Sequence, residues 1–190
     1  MLADLGDYEE ALLSFNQTLE LEPQFFPAWD ARGEVLFDLN RYEEALANYN
    51  QALQIEPAFP SAWFSRGMVL AKLERHEEAM ASFDQALSID PDFSYAWNAR
   101  GDVLADLERF EEALSCYTQA VQGEPVPRSS WYSRGLVLCE LGRYEEAIDS
   151  LDHTLLQEPG FPFAWEARGD ALAELHRYEE ALICYDKVLE

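Results

Sequence analysis

Apolar residues recur along the chain at helical spacing, in two kinds of stripe that alternate. In the first kind, Trp29, Gly33 and Leu36 follow one another at steps of four and three residues, which places them on one face of an α-helix. A short turn at residues 39–41 separates this stripe from the second kind, whose members are Tyr42, Ala45, Leu46, Tyr49, Ala52 and Leu53. The pattern predicts a pair of helices joined by a tight turn.

The same pair recurs with a fixed 34-residue period, which is the interval from Trp29 to Trp63. All five tryptophans fall on this period, at Trp29, Trp63, Trp97, Trp131 and Trp165, and a glycine follows each of them four residues later. A proline marks the period at Pro23, Pro57, Pro91, Pro125 and Pro159. A Glu-Glu-Ala triplet also begins every second helix. Repeats of this length indicate a solenoid, in which each unit buries its apolar face against its neighbours.

Residue types at the helix ends and at the helix contacts agree with this pattern. The glutamates at residues 43–44 lie in the first turn of a second helix, where the helix dipole favours negative charge. Pro57 ends that helix, because the residue before a proline is displaced from the α region. Gly33 costs about 1 kcal/mol inside a helix, so we expect a neighbouring backbone to approach it closely. Trp29 and Tyr49 are expected to fill the space on either side.

This pattern resembles the tetratricopeptide repeat (TPR), a family of 34-residue helix–turn–helix units stacked as a solenoid. The residues of one unit that carry the resemblance are Trp29, Gly33, Tyr42, Ala45, Tyr49, Ala52 and Pro57. The resemblance covers essentially the whole chain and implies an all-α, right-handed superhelical solenoid of antiparallel helix pairs. Gly123, Val126 and Pro127 make one linker unlike its equivalents, so we expect that joint to differ.

The period predicts one continuous solenoid of four full units and two partial ones. The expected boundaries are 1–25 (partial), 26–59, 60–93, 94–127, 128–161 and 162–190 (partial). Because the pattern begins and ends inside a unit, we expect the chain to be a fragment of a longer protein.

Charge narrows the range of partners. The chain has 13 Lys and Arg against 37 Asp and Glu, a formal net charge of −24. An acidic surface repels phosphate backbones and anionic membranes, so neither nucleic acid nor membrane is an expected partner. No apolar run approaches the roughly 20 residues needed to span a bilayer. The three cysteines fit neither a disulfide framework nor a zinc motif, which favours a reducing, cytoplasmic location.

The sequence carries no recurring constellation for catalysis. His76 occupies a scaffold aromatic position, His153 lies within a second helix and His176 lies in a turn. The Glu-Glu pairs are a feature of the helix starts. Cys139 is the one thiol on the expected binding face. Most lone cysteines, however, are small packing residues. We therefore expect no enzymatic activity, no metal site and no cofactor.

Ten of the 13 basic residues recur with the units. Five directly precede the glycine and five lie in the turn: Arg32, Arg66, Arg100, Arg134 and Arg168, then Arg41, Arg75, Arg109, Arg143 and Arg177. They either pair with the recurring glutamates of their own or adjacent units, or form a ladder for an anionic ligand. We favour pairing, because the acids outnumber them and recur with them.

The resemblance implies that ligands bind along a concave groove lined by the first helices. Residues one step after the apolar stripe lie about 100° round the helix from it, and they vary between units. The expected groove residues are Asp30, Glu34, Phe37, Asp38, Phe64, Met68, Asn98, Asp102, Asp106, Tyr132, Leu136, Glu166, Asp170 and Glu174.

Acidic and apolar units alternate along this face, so that the pattern returns with every second unit, as a 68-residue period. The position before the arginine agrees, since it reads Ala31, Ser65, Ala99, Ser133 and Ala167. Two explanations are open: an inherited duplication of a two-unit block, or a groove with apolar pockets between acidic rungs. Grouped apolar surface usually marks a contact site, so we favour the groove.

These features predict a non-catalytic protein–protein interaction scaffold that holds an extended or helical segment. Some TPR proteins bind the acidic C-terminus of chaperones through Lys and Asn on this face, and only Asn98 is compatible with that mode here. We therefore expect a protein or peptide partner with basic and apolar residues. The alternatives are a structural spacer or self-assembly module, and a regulatory array joined to an enzyme domain outside this sequence.

The two ends of the solenoid are expected to expose apolar edges. The last helix, from about residue 177, carries Tyr185, Val188 and Leu189 on the side that no further unit covers. The opening helix, about residues 7–21, has only residues 1–5 of the helix before it. Exposed patches of this kind promote association, so self-association through the terminal helices is expected.

Overall fold

The computed structural model describes residues 2–189, and the side chains of residues 7–189. This part of the chain forms eleven α-helices and no strand. The helices are α1 (Leu2–Leu21), α2 (Phe26–Asp38), α3 (Tyr42–Ile55), α4 (Pro60–Lys72), α5 (His76–Ile89), α6 (Ser94–Asp106), α7 (Phe110–Ala120), α8 (Ser130–Glu140), α9 (Tyr144–Gln157), α10 (Pro162–Glu174) and α11 (Tyr178–Leu189). None of these helices is both long and apolar enough to cross a membrane.

The chain divides into two compact units, Met1–Pro91 and Asp92–Glu190. In the first, α2 packs on α3 and α4 on α5, while α3 and α4 join the two pairs and α1 packs on α2. In the second, the pairs are α6 with α7, α8 with α9 and α10 with α11, joined by α7 against α8 and α9 against α10. The predicted all-α solenoid of helix pairs is confirmed.

Inside each pair, a small residue of the first helix faces a large residue of the second. A Cβ atom added to Gly33 would lie 2.8 Å from the ring of Tyr49, and one added to Gly101 would lie 2.7 Å from Tyr117. Both tyrosines are almost fully buried. The expectation of a close backbone approach at Gly33 is therefore wrong, because the missing side chain makes room for an aromatic ring.

The tryptophans lie at the joints between pairs. The indole Nε1 of Trp29 donates a hydrogen bond to the carbonyl of Pro23 at 2.9 Å, and Trp63 does the same to Pro57. The last pair repeats this bond. The tryptophans are only half-buried. Trp29, Trp63 and Trp165 each tie a first helix to the turn before it.

The turn inside each pair has a left-handed residue at its centre. The N–H of Arg41 donates to the carbonyl of Leu36 and the N–H of Asn40 donates to that of Phe37, both at 2.8 Å. This is the Schellman motif, which satisfies the last carbonyls of a helix. Its left-handed residues, with φ between 57° and 69°, are Asn40, Glu74, Glu108, Gly142 and His176.

The beginning of the chain departs from the sequence-based expectation. The sequence predicted the end of one helix at residues 1–5, a turn, and a second helix from residue 7. Instead α1 runs without a break from Leu2 to Leu21. Each residue that continues an existing helix adds one backbone hydrogen bond, and the described chain holds no earlier helix whose packing would favour a turn there.

The linker after α7 is unlike its equivalents, as predicted. The helix α7 ends at Ala120, and α8 begins only at Ser130. The hydroxyl of Ser94 donates to the carbonyl of Pro125 at 2.5 Å, and a Cβ atom on Gly123 would lie 2.9 Å from that of Ser94. The linker therefore packs on the first turn of α6.

Candidate functional site

The first-helix face of the unit Met1–Pro91 contains a pocket where α2, α3 and α4 meet. Its volume is about 320 Å³, and it is lined by Glu34, Phe37, Asp38, Tyr49, Phe64, Ser65 and Met68. All the groove residues that the sequence predicted in this unit, except Asp30, therefore come together around one pocket. Two lining residues, Tyr49 and Ser65, are not among the predicted groove residues. The sequence pattern assigns Tyr49 to the scaffold, and it indicates Ser65 only through the alternation of Ala and Ser between successive units.

Three carboxylates act on the floor of this pocket. Burial raises the pKa of Tyr49 above its ordinary value, and the negative charges of Asp30, Glu34 and Asp38 raise it further. A hydrogen bond with Ser65 opposes these effects. Negative charges thus surround the tyrosine hydroxyl, and they favour a cation in the pocket.

Asp30 and Glu34 lie one helical turn apart, and neither carboxylate is neutralised. Burial raises the pKa of Asp30 to about 6, and the charge of Glu34 contributes to this shift. Its buried Oδ1 has no hydrogen-bond partner. Glu34 is exposed and makes no hydrogen bond or ion pair with any described residue. Asp38, at the rim, accepts a hydrogen bond of 3.3 Å from the hydroxyl of Tyr8.

The walls of the pocket are apolar and are held by ring contacts. Phe64 packs on Phe83 with ring centroids 6.1 Å apart, and Phe37 packs on Tyr42 at 5.5 Å. Met68, which completes the walls, is half-buried. A ligand side chain in this pocket would therefore meet flat apolar surfaces as well as carboxylates.

In the unit Asp92–Glu190, the equivalent polar residues satisfy one another. Asn98 is only 7% exposed; its amide donates to Asp102 at 3.0 Å, and its oxygen accepts from Ser130 at 2.7 Å. The hydroxyl of Tyr117 donates to the other oxygen of Asp102 at 2.8 Å. Although Asp102 keeps part of its surface exposed, burial raises its pKa and the Tyr117 bond opposes the rise. Asn98 therefore has little surface to offer a ligand.

The other predicted groove residues of this unit remain at the surface. Tyr132 is half-buried and packs against Phe161 with ring centroids 5.0 Å apart, while Leu136 is exposed. Burial raises the pKa of Tyr132, and the charge of Glu166 adds to the rise. The exposed acids are Asp106, Glu166, Asp170 and Glu174.

The predicted self-association edge needs one correction. Tyr185 packs on Gly169, where an added Cβ would lie 2.6 Å from its ring, and its hydroxyl donates to Asp170 at 2.8 Å. It therefore packs against its own pair and is half-buried there. Val188 and Leu189 are exposed as expected.

The arginines of the turns form the predicted pairs with glutamates. Arg41 holds Glu44 with two hydrogen bonds, at 2.7 Å and 2.8 Å. The equivalent pairs are Arg75–Glu78, Arg109–Glu112, Arg143–Glu146 and Arg177–Glu180. These pairs are exposed to solvent, so each contributes little to stability.

The arginines before the glycines have other partners. Arg66 donates from Nε to Asn50 of the preceding second helix and from Nη1 to Ser82 of its own pair. Arg134 and Arg168 repeat this arrangement. Pairing with the recurring glutamates is thus wrong for these three arginines. Their donors join consecutive second helices, so the three do not form an anion ladder.

The thiols show no sign of reactivity. Cys116 and Cys184 are buried, and each accepts a hydrogen bond from an arginine. Burial raises the pKa of Cys139 to about 11, with further contributions from Asp170 and Glu140, so the thiol is protonated and weakly nucleophilic at neutral pH. Among the residues whose side chains are described, no group of three or more His, Cys, Asp or Glu could hold a metal ion.

Several solved structures resemble this chain. YrrB, described as a TPR protein with an unusual peptide-binding site, has a TM-score of 0.78 and 26% identity, over 92% of this chain and 90% of that one. MamA has a TM-score of 0.78 and 20% identity, over 86% of this chain and 90% of that one. The MamA fragment 41-end from Desulfovibrio magneticus RS-1 has a TM-score of 0.78 and 20% identity, over 86% of this chain and 93% of that one. The likeness to MamA concerns the fold. No curated protein matches the sequence.

Sequence models of one family match successive parts of the chain. A model described as TPR repeat matches residues 33–74. Models described as tetratricopeptide repeat match residues 1–25, 60–93, 98–155 and 162–190. Together with the stacked helix pairs and the similar solved structures, these matches show that the chain belongs to the tetratricopeptide repeat family.

Proposed function

We propose that this chain is a non-catalytic protein–protein interaction scaffold that binds a basic and apolar segment of a partner along its first helices. The observation that carries the proposal is the pocket of α2, α3 and α4, in which aromatic walls adjoin the carboxylate of Glu34, which no described residue neutralises. Family membership supports an interaction role, and the peptide-binding site described for YrrB supports a peptide as the ligand.

The two kinds of contact have different roles in binding. Apolar side chains of the partner would pack on Phe64 and Met68 and, in the other unit, on Tyr132 and Leu136. These anchors hold the complex, because a few desolvated contacts supply most of the binding energy. Lys and Arg of the partner would approach the exposed acids, which mainly speeds encounter and sets specificity.

A peptide array tests this proposal directly. Peptides that are long enough to span several first helices and that vary in charge and apolar content are probed with the full chain, and the best binders are measured by fluorescence anisotropy. We expect basic and apolar peptides to bind, with weaker affinity at higher salt, because exposed charges are screened beyond about 10 Å at 0.1 M.

A matched pair of variants locates the binding face. Met68→Ala removes an apolar wall of the pocket, whereas Leu156→Ala removes a side chain of α9 that is 78% exposed. We expect the first substitution to weaken peptide binding and the second to leave it unchanged. Preference for acidic peptides, or equal effects of the two substitutions, would contradict the proposal.

A second candidate function is self-assembly, and the surface of α11 supports it. Leu182 and Leu189 are 62% and 85% exposed. Their equivalents in the preceding pair, Ile148 and Leu155, are buried in clusters with residues of α10. A second copy of the chain could cover the corresponding surface of α11.

A further inference from the structure

The chain contains one polar layout twice, separated by two repeats and present once in each compact unit. Both copies consist of an acid after the glycine, a second acid four residues later, a tyrosine on the second helix and a serine on the next first helix. The corresponding residues are Glu34 and Asp102, Asp38 and Asp106, Tyr49 and Tyr117, and Ser65 and Ser133. The two copies therefore allow a comparison within one molecule.

The copy in the second unit is internally balanced. Both oxygens of Asp102 accept hydrogen bonds, one from Tyr117 and one from the amide of Asn98. Asn98 lies four residues before Asp102, so a donor faces an acceptor across one helical turn. Ala105 occupies the position that is equivalent to Phe37 of the first unit, so one aromatic wall is absent in the second unit.

The copy in the first unit lacks that donor. Asp30 stands at the position of Asn98, so two carboxylates face each other across the turn where the second unit has an amide and a carboxylate. The buried Oδ1 of Asp30 has no partner, and Glu34 has none among the described residues. An unsatisfied buried oxygen beside a like charge is costly and requires an explanation.

The surroundings of Glu34, the one of these two carboxylates that lines the pocket, indicate which cation fits. The pocket of about 320 Å³ is large enough for one long side chain, and its walls include the rings of Phe37 and Phe64. A guanidinium is flat, weakly hydrated and able to stack on aromatic rings while it donates two parallel hydrogen bonds to a carboxylate. The ammonium of lysine is compact and strongly hydrated, and it gains less from such walls.

We propose that the pocket of α2, α3 and α4 is a socket for the arginine side chain of a partner protein, with Glu34 as the carboxylate that receives the guanidinium and Asp30 as its support. The socket rests on the proposed peptide-binding function and makes it specific, because it distinguishes arginine from lysine. The equivalent place in the second unit does not take arginine, since Asp102 is already satisfied by Tyr117 and Asn98.

Small capped amino acids test the socket without a known partner. The full chain is titrated with N-acetyl-arginine amide, N-acetyl-lysine amide, the neutral N-acetyl-citrulline amide and free arginine, and binding is followed by NMR chemical shifts. We expect the capped arginine to shift the amides around Glu34 and Ser65, the lysine compound to bind several-fold more weakly, and citrulline to cause no saturable shift. Equal binding of arginine and lysine would overturn the proposal, as would tighter binding of free arginine, which would indicate a metabolite site.

Substitutions that each remove one negative charge identify the carboxylates that bind the guanidinium. Glu34→Gln should lower the affinity for the capped arginine by about tenfold, as expected for loss of a charged hydrogen bond. Glu158→Gln removes an exposed acid just after α9, outside the first-helix face, and should leave the affinity unchanged. Asp30→Asn supplies the amide donor that Asn98 provides in the second unit, so it should weaken arginine binding and raise the melting temperature together. Equal effects of Glu34→Gln and Glu158→Gln would refute the socket.

The socket and the proposed function can fail separately. If basic and apolar peptides bind along the first helices but Glu34→Gln does not affect them, the function stands and the socket is wrong. If the capped arginine binds beside Glu34 but no peptide binds, the socket stands and the proposed function is wrong.

Discussion

At the scale of single residues, the alternation of the first-helix face follows what lies inside each pair. The hydroxyls of Tyr117 and Tyr185 lie beside the residue that follows the glycine of the first helix. This residue is an aspartate, Asp102 or Asp170, and it accepts a hydrogen bond from the tyrosine. Where the second helix carries Phe83 or Leu151, the position after the glycine is apolar. Buried hydroxyls need partners, so packing inside the pairs contributes to a pattern that the sequence alone linked to duplication or to ligands.

Asp30 makes stability depend on pH in a defined direction. Its pKa in the folded chain is about 6, against an ordinary value of 3.8. The folded state therefore binds this proton more tightly, so the contribution of Asp30 to the free energy of unfolding falls as pH rises from about 4 to 6 and then stays level. Asp30→Asn should remove this fall and stabilise the chain at pH 7 by roughly 1 kcal/mol, after allowance for solvent screening.

Urea unfolding at pH 4, 5, 6 and 7 measures this effect, with Asp149→Asn, an exposed position on α9, as the control for a lost surface charge. The difference between Asp30→Asn and wild type should be small at pH 4 and reach its full size near pH 7. Parallel stability curves for wild type and Asp30→Asn would show that Asp30 titrates normally.

At the scale of elements, the turns between paired helices share a backbone geometry but not a residue type. Glu74 and Glu108 adopt left-handed φ angles of 57°, whereas Gly142 provides the same conformation without a side chain. A left-handed conformation costs residues other than glycine roughly 1–2 kcal/mol. The turn is therefore imposed by the packing of the helices on either side.

Exchanging residues at two turns tests this cost. Glu108→Gly should stabilise the chain by about 0.5–1 kcal/mol, because relief of strain exceeds the added entropy of glycine. Gly142→Ala should destabilise it by about 1 kcal/mol, and the cause is the backbone alone, since an added Cβ would meet no atom within 4 Å. Gly160→Ala is the control, because it has equal space and no left-handed φ. Thermal unfolding that ranks Gly142→Ala with Gly160→Ala would contradict this view.

The helices could be predicted because their signals are local. Pro57 ends one helix and the 34-residue spacing repeats it, so α2 to α11 appear where the pattern placed them. Contacts between helices could not be predicted in the same way. The partners of Arg66 lie on other helices before and after its own, and spacing within one helix says nothing about them. For the same reason nothing in the sequence indicated that Asp102 is satisfied while Glu34 is not.

At the scale of the whole molecule, the net charge of −24 acts oppositely on two kinds of association. Salt screens the attraction between acidic residues and a cationic peptide, so that complex should weaken as salt rises. Two copies of the chain repel each other, and salt screens this repulsion. Contact through apolar surface should therefore strengthen as salt rises.

Substitutions on α11 test the second effect. Light scattering at rising salt should show association of the wild-type chain, and Leu182→Gln with Leu189→Gln should abolish it without affecting peptide binding. Tyr185 is left intact, because it packs inside its own pair. Leu156→Gln serves as the control at an exposed position of α9. A salt-insensitive monomer would exclude association through α11.

The hydrogen bond between Tyr49 and Ser65 limits how the chain can be shortened. Removal of the single repeat 60–93 would bring Ala99 to the place of Ser65 and leave the tyrosine hydroxyl without that partner. In this shortened chain, Ala99→Ser should raise the melting temperature. In the full chain the same substitution should lower it, because Ala99 is only 7% exposed and a new buried hydroxyl needs a partner. If Ala99→Ser changes the melting temperature in the same direction in both chains, single repeats can be removed. If the changes are opposite, two consecutive repeats are the smallest length by which such a chain can grow or shrink without loss of stability.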